Sequence, residues 1–183
     1  EMVSNNLDCL ENILQYNLEK NILFFRITSN LIPFASHKIN KFNWQDYFAK
    51  DFARLGGFIK KHKMRVSVHP GQYTVLNSSK KEVVKKAIAE LEYHVDMLDL
   101  MKLDKTAKVQ IHVGGVYGDK QQAIKRFIDN YNGLSQRVKD RLVIENDDKS
   151  YTASDCLAIS RQIGVAVVFD VLHYSLNKKN KDL

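Results

Sequence analysis

Two hydrophobic periods alternate along this chain, and the switches between them divide it into elements. Leu7, Leu10, Ile13, Leu14 and Leu18 recur at helical spacing over residues 6–18. Residues 22–27 (ILFFRI), apolar but for Arg26, have the length of a strand. After an irregular loop through Pro33 to Asn43, helical spacing returns over Trp44–His62, with Tyr47, Phe48, Phe52, Leu55 and Ile59 inward. Residues 65–69 form the next strand. Ser79 and Glu82 have capping-box spacing ahead of a helix carrying Val84, Ile88, Leu91, Val95 and Leu98 on one side. Strand 109–113 follows, then a helix from an Asp119 N-cap through Tyr131. Strand 142–146, a helix capped by Ser154 and ending before Gly164, and strand 165–170 complete the series.

Strands separated by helices predict an α/β fold with a parallel sheet, either doubly wound or closed as a barrel. Polar residues recur at the same end of nearly every strand, whereas a doubly wound sheet gathers its site at one switch point. No strand is followed by a phosphate-binding glycine loop; Gly114-Gly115 lacks the dinucleotide spacing and the P-loop lysine. The expectation is therefore a (β/α)8 TIM barrel, incomplete in this chain, with about five of the eight strands that close such a barrel. One strand would be missing in front and about two behind. The chain opens on Glu1 inside a helical pattern and stops in the polar run NKKNKDL, so both ends read as cut. Residues 1–183 are expected to be a single partial TIM-barrel domain.

Composition narrows the class without deciding it. With 44% hydrophobic and 27% charged residues, the chain has the balance of a globular domain with one core. No apolar stretch has the length of a membrane span, and no signal-peptide pattern is present. Cys9 and Cys156 fall in helix-like segments and read as reduced core residues, which suits a cytoplasmic setting, nucleoid-associated if bacterial. The net charge of +7 favours a polyanionic partner but is shared by many lysine-rich chains.

The candidate chemistry lies where the strands end. RVSVHPGQY delivers His69, VQIHVGG delivers His112, RLVIENDD delivers Glu145, and VAVVFDVLH delivers Asp170 and His173. A lone histidine beside a strand is more often a hydrogen-bonded structural residue; a set repeated on four strands is not explained by packing. Imidazole and carboxylate together suit zinc, manganese or iron, and no cysteine lies near these strand ends. Glu145 can bridge two cations, since a carboxylate has two oxygens. Asp170 and His173, three residues apart, can turn toward one cluster. Two adjacent metals are the apparatus for phosphoryl displacement. Asn146 and Asp147 are expected to orient Glu145, and His62 and His94, within helices, to be structural.

The stretches FRITSNLIPFASH, VSVHPGQYTVLNS, ELEYHVDMLD, IHVGGVYGDK, VIENDD and FDVLHYSLN resemble the UV damage endonuclease family, in the same order and over residues 6–177. The resemblance implies a TIM barrel related to endonuclease IV. It also implies an enzyme that nicks damaged double-stranded DNA immediately 5′ to cyclobutane dimers and 6-4 products, leaving a 3′-hydroxyl and a 5′-phosphate. The cofactor it implies is a divalent metal cluster, manganese with zinc or magnesium as the other candidates. His69 and His112 would hold one metal, with Glu145 bridging to a second and Asp170 and His173 completing the cluster. Gln72 and Tyr73 would probe the lesion, filling the gap left by flipped nucleotides. His37 would lie near the scissile phosphate.

Lys120, at a loop-to-helix junction, would contact a phosphate at the helix N-terminus, the other reading being a first-turn surface lysine. The lysine runs at 60–63, 80–81, 85–86 and 178–181 read mostly as solvated faces, with Lys178, Lys179 and Lys181 reaching DNA only if following chain places them there. Compared with the family, this sequence lacks the first strand and the later ligands, so the fragment alone is expected to be inactive. The full-length protein would be a monomer without membrane contact. An apurinic-site endonuclease of the endonuclease IV type, a metal-dependent sugar isomerase-like barrel and a non-enzymatic DNA-binding module are the competing readings.

Overall fold

The structure is a computed structural model and describes residues 1–177; Lys178, Lys179 and Lys181 lie outside the described residues. The elements are α1 (Met2–Glu19), β1 (Phe24–Ile27), α2 (Trp44–Tyr47), α3 (Ala49–Lys61), β2 (Arg65–Val68), α4 (Lys81–Leu100), β3 (Lys108–His112), α5 (Lys120–Asn132), α6 (Gln136–Arg141), β4 (Leu142–Glu145), α7 (Ala153–Ile163), β5 (Ala166–Val168) and α8 (Val171–Leu176). The strands form one sheet in the order β1-β2-β3-β4-β5, every neighbouring pair parallel. Each new strand is added to the same edge, with no reversal of direction across the sheet. That is the winding of a TIM barrel and not of a doubly wound sheet.

Strand alternation sorts the two sheet faces. Along β3, Val109 and Ile111 are buried in the main apolar core, continued by Val113 just past the strand. Lys108, Gln110 and His112 occupy the alternate positions, on the face that carries the polar groups. Outside the sheet, α4 packs against β3 and between α3 and α6, while α7 packs on α5, β4 and β5. Leu7, Leu10 and Leu14 dock α1, each buried side chain contributing roughly 1.5–3 kcal/mol.

Several local details differ from the sequence-based expectations. The helix expected over Trp44–His62 breaks at Phe48, so α2 is a single turn, and Tyr47 is 67% exposed instead of inward. The Ser79–Glu82 capping box does not form. The helix begins at Lys81 with Lys80 as N-cap, one residue too late for that spacing, and no side chain caps it. Asp119 does cap α5, accepting from the Gln122 amide at 3.0 Å. α7 is capped by Thr152, which forms a reciprocal box with Asp155, and Ser154 lies inside the first turn. Cys156 is buried but Cys9 is exposed, since it lies off the leucine stripe of α1. His94 is buried in α4, its Nδ1 2.8 Å from the Glu90 carbonyl, and His62 is the C-cap of α3. No helix among the described residues is long and apolar enough to cross a membrane.

Candidate metal centre

The parallel register brings the chemistry to one end of the sheet. His112 pairs directly with Glu145 across β3 and β4. His69 follows the last residue of β2, and Asp170 lies two residues past β5. Asp170 then caps α8, its Oδ1 accepting from the His173 amide at 2.8 Å, and this single turn carries His173 back over the strand ends. The three imidazoles stand in a row, His69 and His112 with ring centroids 5.2 Å apart and His112 and His173 5.3 Å apart.

Glu145 is the hub. Its Oε1 lies 2.7 Å from His69 Nε2 and 3.1 Å from His112 Nε2. His69, His112 and Glu145 form one group whose ligand atoms lie within 4.8 Å of one another, and Glu145, Asp170 and His173 form a second. Glu145 is 2% exposed, and a carboxylate buried this deeply calls for positive charge against it. Burial pushes the Glu145 carboxyl up, but the His69 hydrogen bond and the two imidazoles outweigh it and hold the group below its usual range. The bond to Glu145 raises His69, whereas burial lowers His112. Nδ1 of His69 lies 2.9 Å from the Pro70 carbonyl, and Nδ1 of His173 lies 2.9 Å from that of Asn146. Such carbonyl partners fix ring orientation and present the opposite nitrogen. Two mixed imidazole–carboxylate sets sharing one buried carboxylate fit a divalent metal pair of intermediate softness.

The support for Glu145 comes from residues that the sequence did not single out. Gln110, 4% exposed in mid-strand, donates its amide to Glu145 Oε2, and Arg26 donates to Gln110 Oε1 at 3.3 Å. Both are polar residues at sheet positions in otherwise apolar runs, which is the signal that could have found them. Asn146 and Asp147, expected to orient Glu145, have other partners. The Asn146 side chain brackets the Asp170 backbone, donating to its carbonyl and accepting from its amide, each at 2.9 Å. Asp147 accepts from the amides of Lys149, Ser150 and Tyr151 and closes its own loop. They position the Asp170 segment and the β4 loop instead.

The other candidate residues lie around this centre. His37, Gln72 and Tyr73 line one groove of about 1070 Å³, together with Tyr117, Lys80, Lys86 and Glu90. Tyr73 is 82% exposed. His37 is exposed, and its Nδ1 accepts from the Ile39 amide at 3.2 Å. Lys120 stands apart from the imidazoles: it is paired with Asp155, and its ammonium lies 5.2 Å from the Tyr151 ring centroid. Three loops, those after β2, β3 and β4, are clasped together by one cluster of hydrogen bonds. Asn77 Nδ2 donates to the Gly115 carbonyl at 2.7 Å and to the Tyr151 hydroxyl at 3.1 Å, and that hydroxyl donates to the same carbonyl at 3.1 Å. Gly114, at φ 117°, lies so close to Asn77 Oδ1 that a Cβ there would collide with it.

A family model described as UV-endonuclease UvdE matches residues 1–183. The chain belongs to the UV-endonuclease UvdE family. It is 46% identical over 172 residues to a UV DNA damage endonuclease of Clostridium perfringens (strain 13 / Type A), covering 94% of this chain and 42% of that protein. The crystal structure of SacUVDE superposes with a TM-score of 0.95 at 48% identity, over 100% of this chain and 62% of that one. Endonuclease IV from Thermus thermophilus is similar at a TM-score of 0.61 and 14% identity, over 90% of this chain and 58% of that one, which shows the fold alone. The chain spans about half the length of the curated relatives it matches.

Proposed function

We propose that the full-length protein carrying these residues is a DNA-repair endonuclease. It cuts the phosphodiester bond immediately 5′ to UV photoproducts by metal-assisted hydrolysis, leaving a 3′-hydroxyl and a 5′-phosphate. The observation that carries this reading is Glu145, one buried carboxylate shared by two ligand sets at the strand ends of a family member. His69 and His112 would hold one cation and Asp170 and His173 a second, with Glu145 shared between the two sets; manganese is the metal proposed. When bound, such a pair supplies hydroxide at neutral pH and neutralises charge on the entering and leaving oxygens.

The remaining roles fall to the loops. Gln72 and Tyr73 fill the space left by extruded nucleotides, the ring stacking and the amide bonding to unpaired bases. His37, on the same groove, contacts the backbone near the scissile phosphate. Lys120 reaches a phosphate only by exchanging the Asp155 carboxylate for it. Residues 1–183 belong to one barrel domain, acting as a monomer in the cytoplasm or on the nucleoid.

The test is incubation of the full-length protein with Mn²⁺ and three duplexes: dimer-bearing, abasic and undamaged. Cutting confined to the first is expected. Preference for the abasic duplex would replace this reading with that of an apurinic-site endonuclease.

A further inference from the structure

The loop after β3 carries an aromatic side chain that the roles above leave unused. Tyr117 is 49% exposed and lines the groove shared by His37, Gln72 and Tyr73. Its backbone sits at φ 53°, in the left-handed region. Asn21, Phe34, Lys63 and Lys102 also have positive φ; Asn21, Lys63 and Lys102 each lie one residue past a helix C-cap, where that conformation closes the helix, and Phe34 lies in the loop after β1, outside this groove's lining. Tyr117 terminates no helix. A non-glycine residue stays in this region at an energetic cost, and only where its surroundings dictate it; such residues gather at binding sites.

What dictates the position is visible. The Arg126 guanidinium lies 5.6 Å from the Tyr117 ring centroid, and Arg126 Nε donates to the Asn77 carbonyl at 2.8 Å. The ring also rests on Gly115, where an added Cβ would come within 3.0 Å of two ring carbons. The same Gly115 and Asn77 belong to the clasp that joins the β2, β3 and β4 loops. Tyr117 is therefore an aromatic ring fixed in orientation, half open to a groove, and tied to the loop that carries Tyr73. Lys80 and Lys86 bring positive charge to the same groove.

We infer that Tyr117 is a stacking platform for a nucleobase of the bound duplex, a second aromatic surface beside Tyr73. The inference rests on the DNA substrate proposed above. An aromatic face accepts any base, so this platform contributes affinity for an unstacked nucleotide without reading its sequence. Fixing the ring before binding lowers the ordering cost on association.

The experiment uses the full-length protein with metal chelated, so that binding is read without cleavage. Affinity for dimer-bearing and undamaged duplexes is measured by fluorescence anisotropy. A second duplex carries 2-aminopurine opposite the lesion, whose emission stays quenched when the extruded base stacks on an aromatic ring and rises when it is extruded without one. Tyr117→Leu is expected to weaken the damaged duplex roughly tenfold and to abolish the quench, while Tyr117→Phe stays within about twofold of wild type. Tyr117→Trp, which enlarges the platform, is expected to bind at least as tightly and guards against a folding defect in the leucine variant. Wild-type affinity and quench in Tyr117→Leu, or a loss in Tyr117→Phe or Tyr117→Trp equal to that of Tyr117→Leu, would overturn the inference and leave the proposed function standing. A wild-type protein that does not distinguish the two duplexes would overturn both.

Discussion

Arg141 and Arg137 lie one turn apart on α6 and share Asp99, yet they should differ sharply in what they contribute. The Arg141 side chain is 6% exposed. It donates to Asp99 Oδ1 at 3.1 and 2.7 Å, and to the carbonyls of Leu103, Asp104 and Ala107 at 2.7, 2.6 and 3.1 Å. It thus fixes the turn between α4 and β3, the strand that carries Gln110 and His112. Arg141→Ala leaves those carbonyls and one carboxylate oxygen without their donor. Asp99, 37% exposed, is rehydrated, so the cost comes from the stranded carbonyls, about 1–3 kcal/mol for each left unsatisfied and about 3–5 kcal/mol together. At roughly 2–4 °C of melting temperature per kcal/mol for a domain of this size, a drop of roughly 6–20 °C is expected. Arg137, 53% exposed, reaches Asp96 and Asp99 at 2.8 Å each, and Arg137→Ala should cost no more than about 1 kcal/mol. Urea unfolding of the full-length protein and both variants measures the difference directly. Equal losses, or an Arg141→Ala loss below about 1 kcal/mol, would refute the assignment of stability by burial.

Glu145→Gln should lower the number of bound Mn²⁺ ions and abolish nicking, because an amide oxygen is a poor bridging ligand; full metal content with near-normal cutting would contradict the bridging role. Gln72→Ala combined with Tyr73→Ala should weaken damaged-duplex binding by about 1–3 kcal/mol with metal content unchanged; equal losses on undamaged DNA would assign the pair to general affinity or to the fold. Burial pushes the Asp155 carboxyl up, but the Lys120 ammonium and the Thr152 hydrogen bonds outweigh it and hold it below the usual range. A depressed folded-state value means stability that is fully present above the unfolded value of about 4 and is lost as pH falls through the folded one. The stability gap between wild type and Lys120→Met should therefore narrow in urea titrations below about pH 4, and a gap independent of pH would disprove the pairing.

Four of the strands were legible because each is a short Val- and Ile-rich run ending in a polar residue, and that same signal exposed His69, His112, Glu145, Asp170 and His173; β1 was legible only as the phenylalanine-rich run ILFFRI. Local pattern failed where tertiary contacts decide. The break at Phe48 leaves the hydrophobic period intact on both sides, so residues 44–62 read as one helix. α6 and α8, six residues each, are too short to display a period. Thr152 and Ser154 are both competent N-caps, and only the first has an acidic residue three positions on, Asp155, to close the box. The clasp was invisible for a different reason: Asn77, Gly115 and Tyr151 are 36 to 74 residues apart, and nothing local marks them as partners. Gln110 was passed over because a buried amide in an apolar strand reads as an interruption until its acceptor, Glu145, is seen beside it.

The central claim is that these strand-end groups hold metal for hydrolysis beside a UV lesion. The most direct measurement is end-mapping of the nick made by the full-length protein with Mn²⁺ on a duplex bearing one cyclobutane dimer. The account predicts a single cut immediately 5′ to the dimer, with a 3′-hydroxyl that a polymerase extends and a 5′-phosphate that a phosphatase removes. It also predicts that chelation abolishes the cut and that added Mn²⁺ restores it. A cut that survives chelation, that leaves a 3′-phosphate, or that falls equally on undamaged DNA would contradict it.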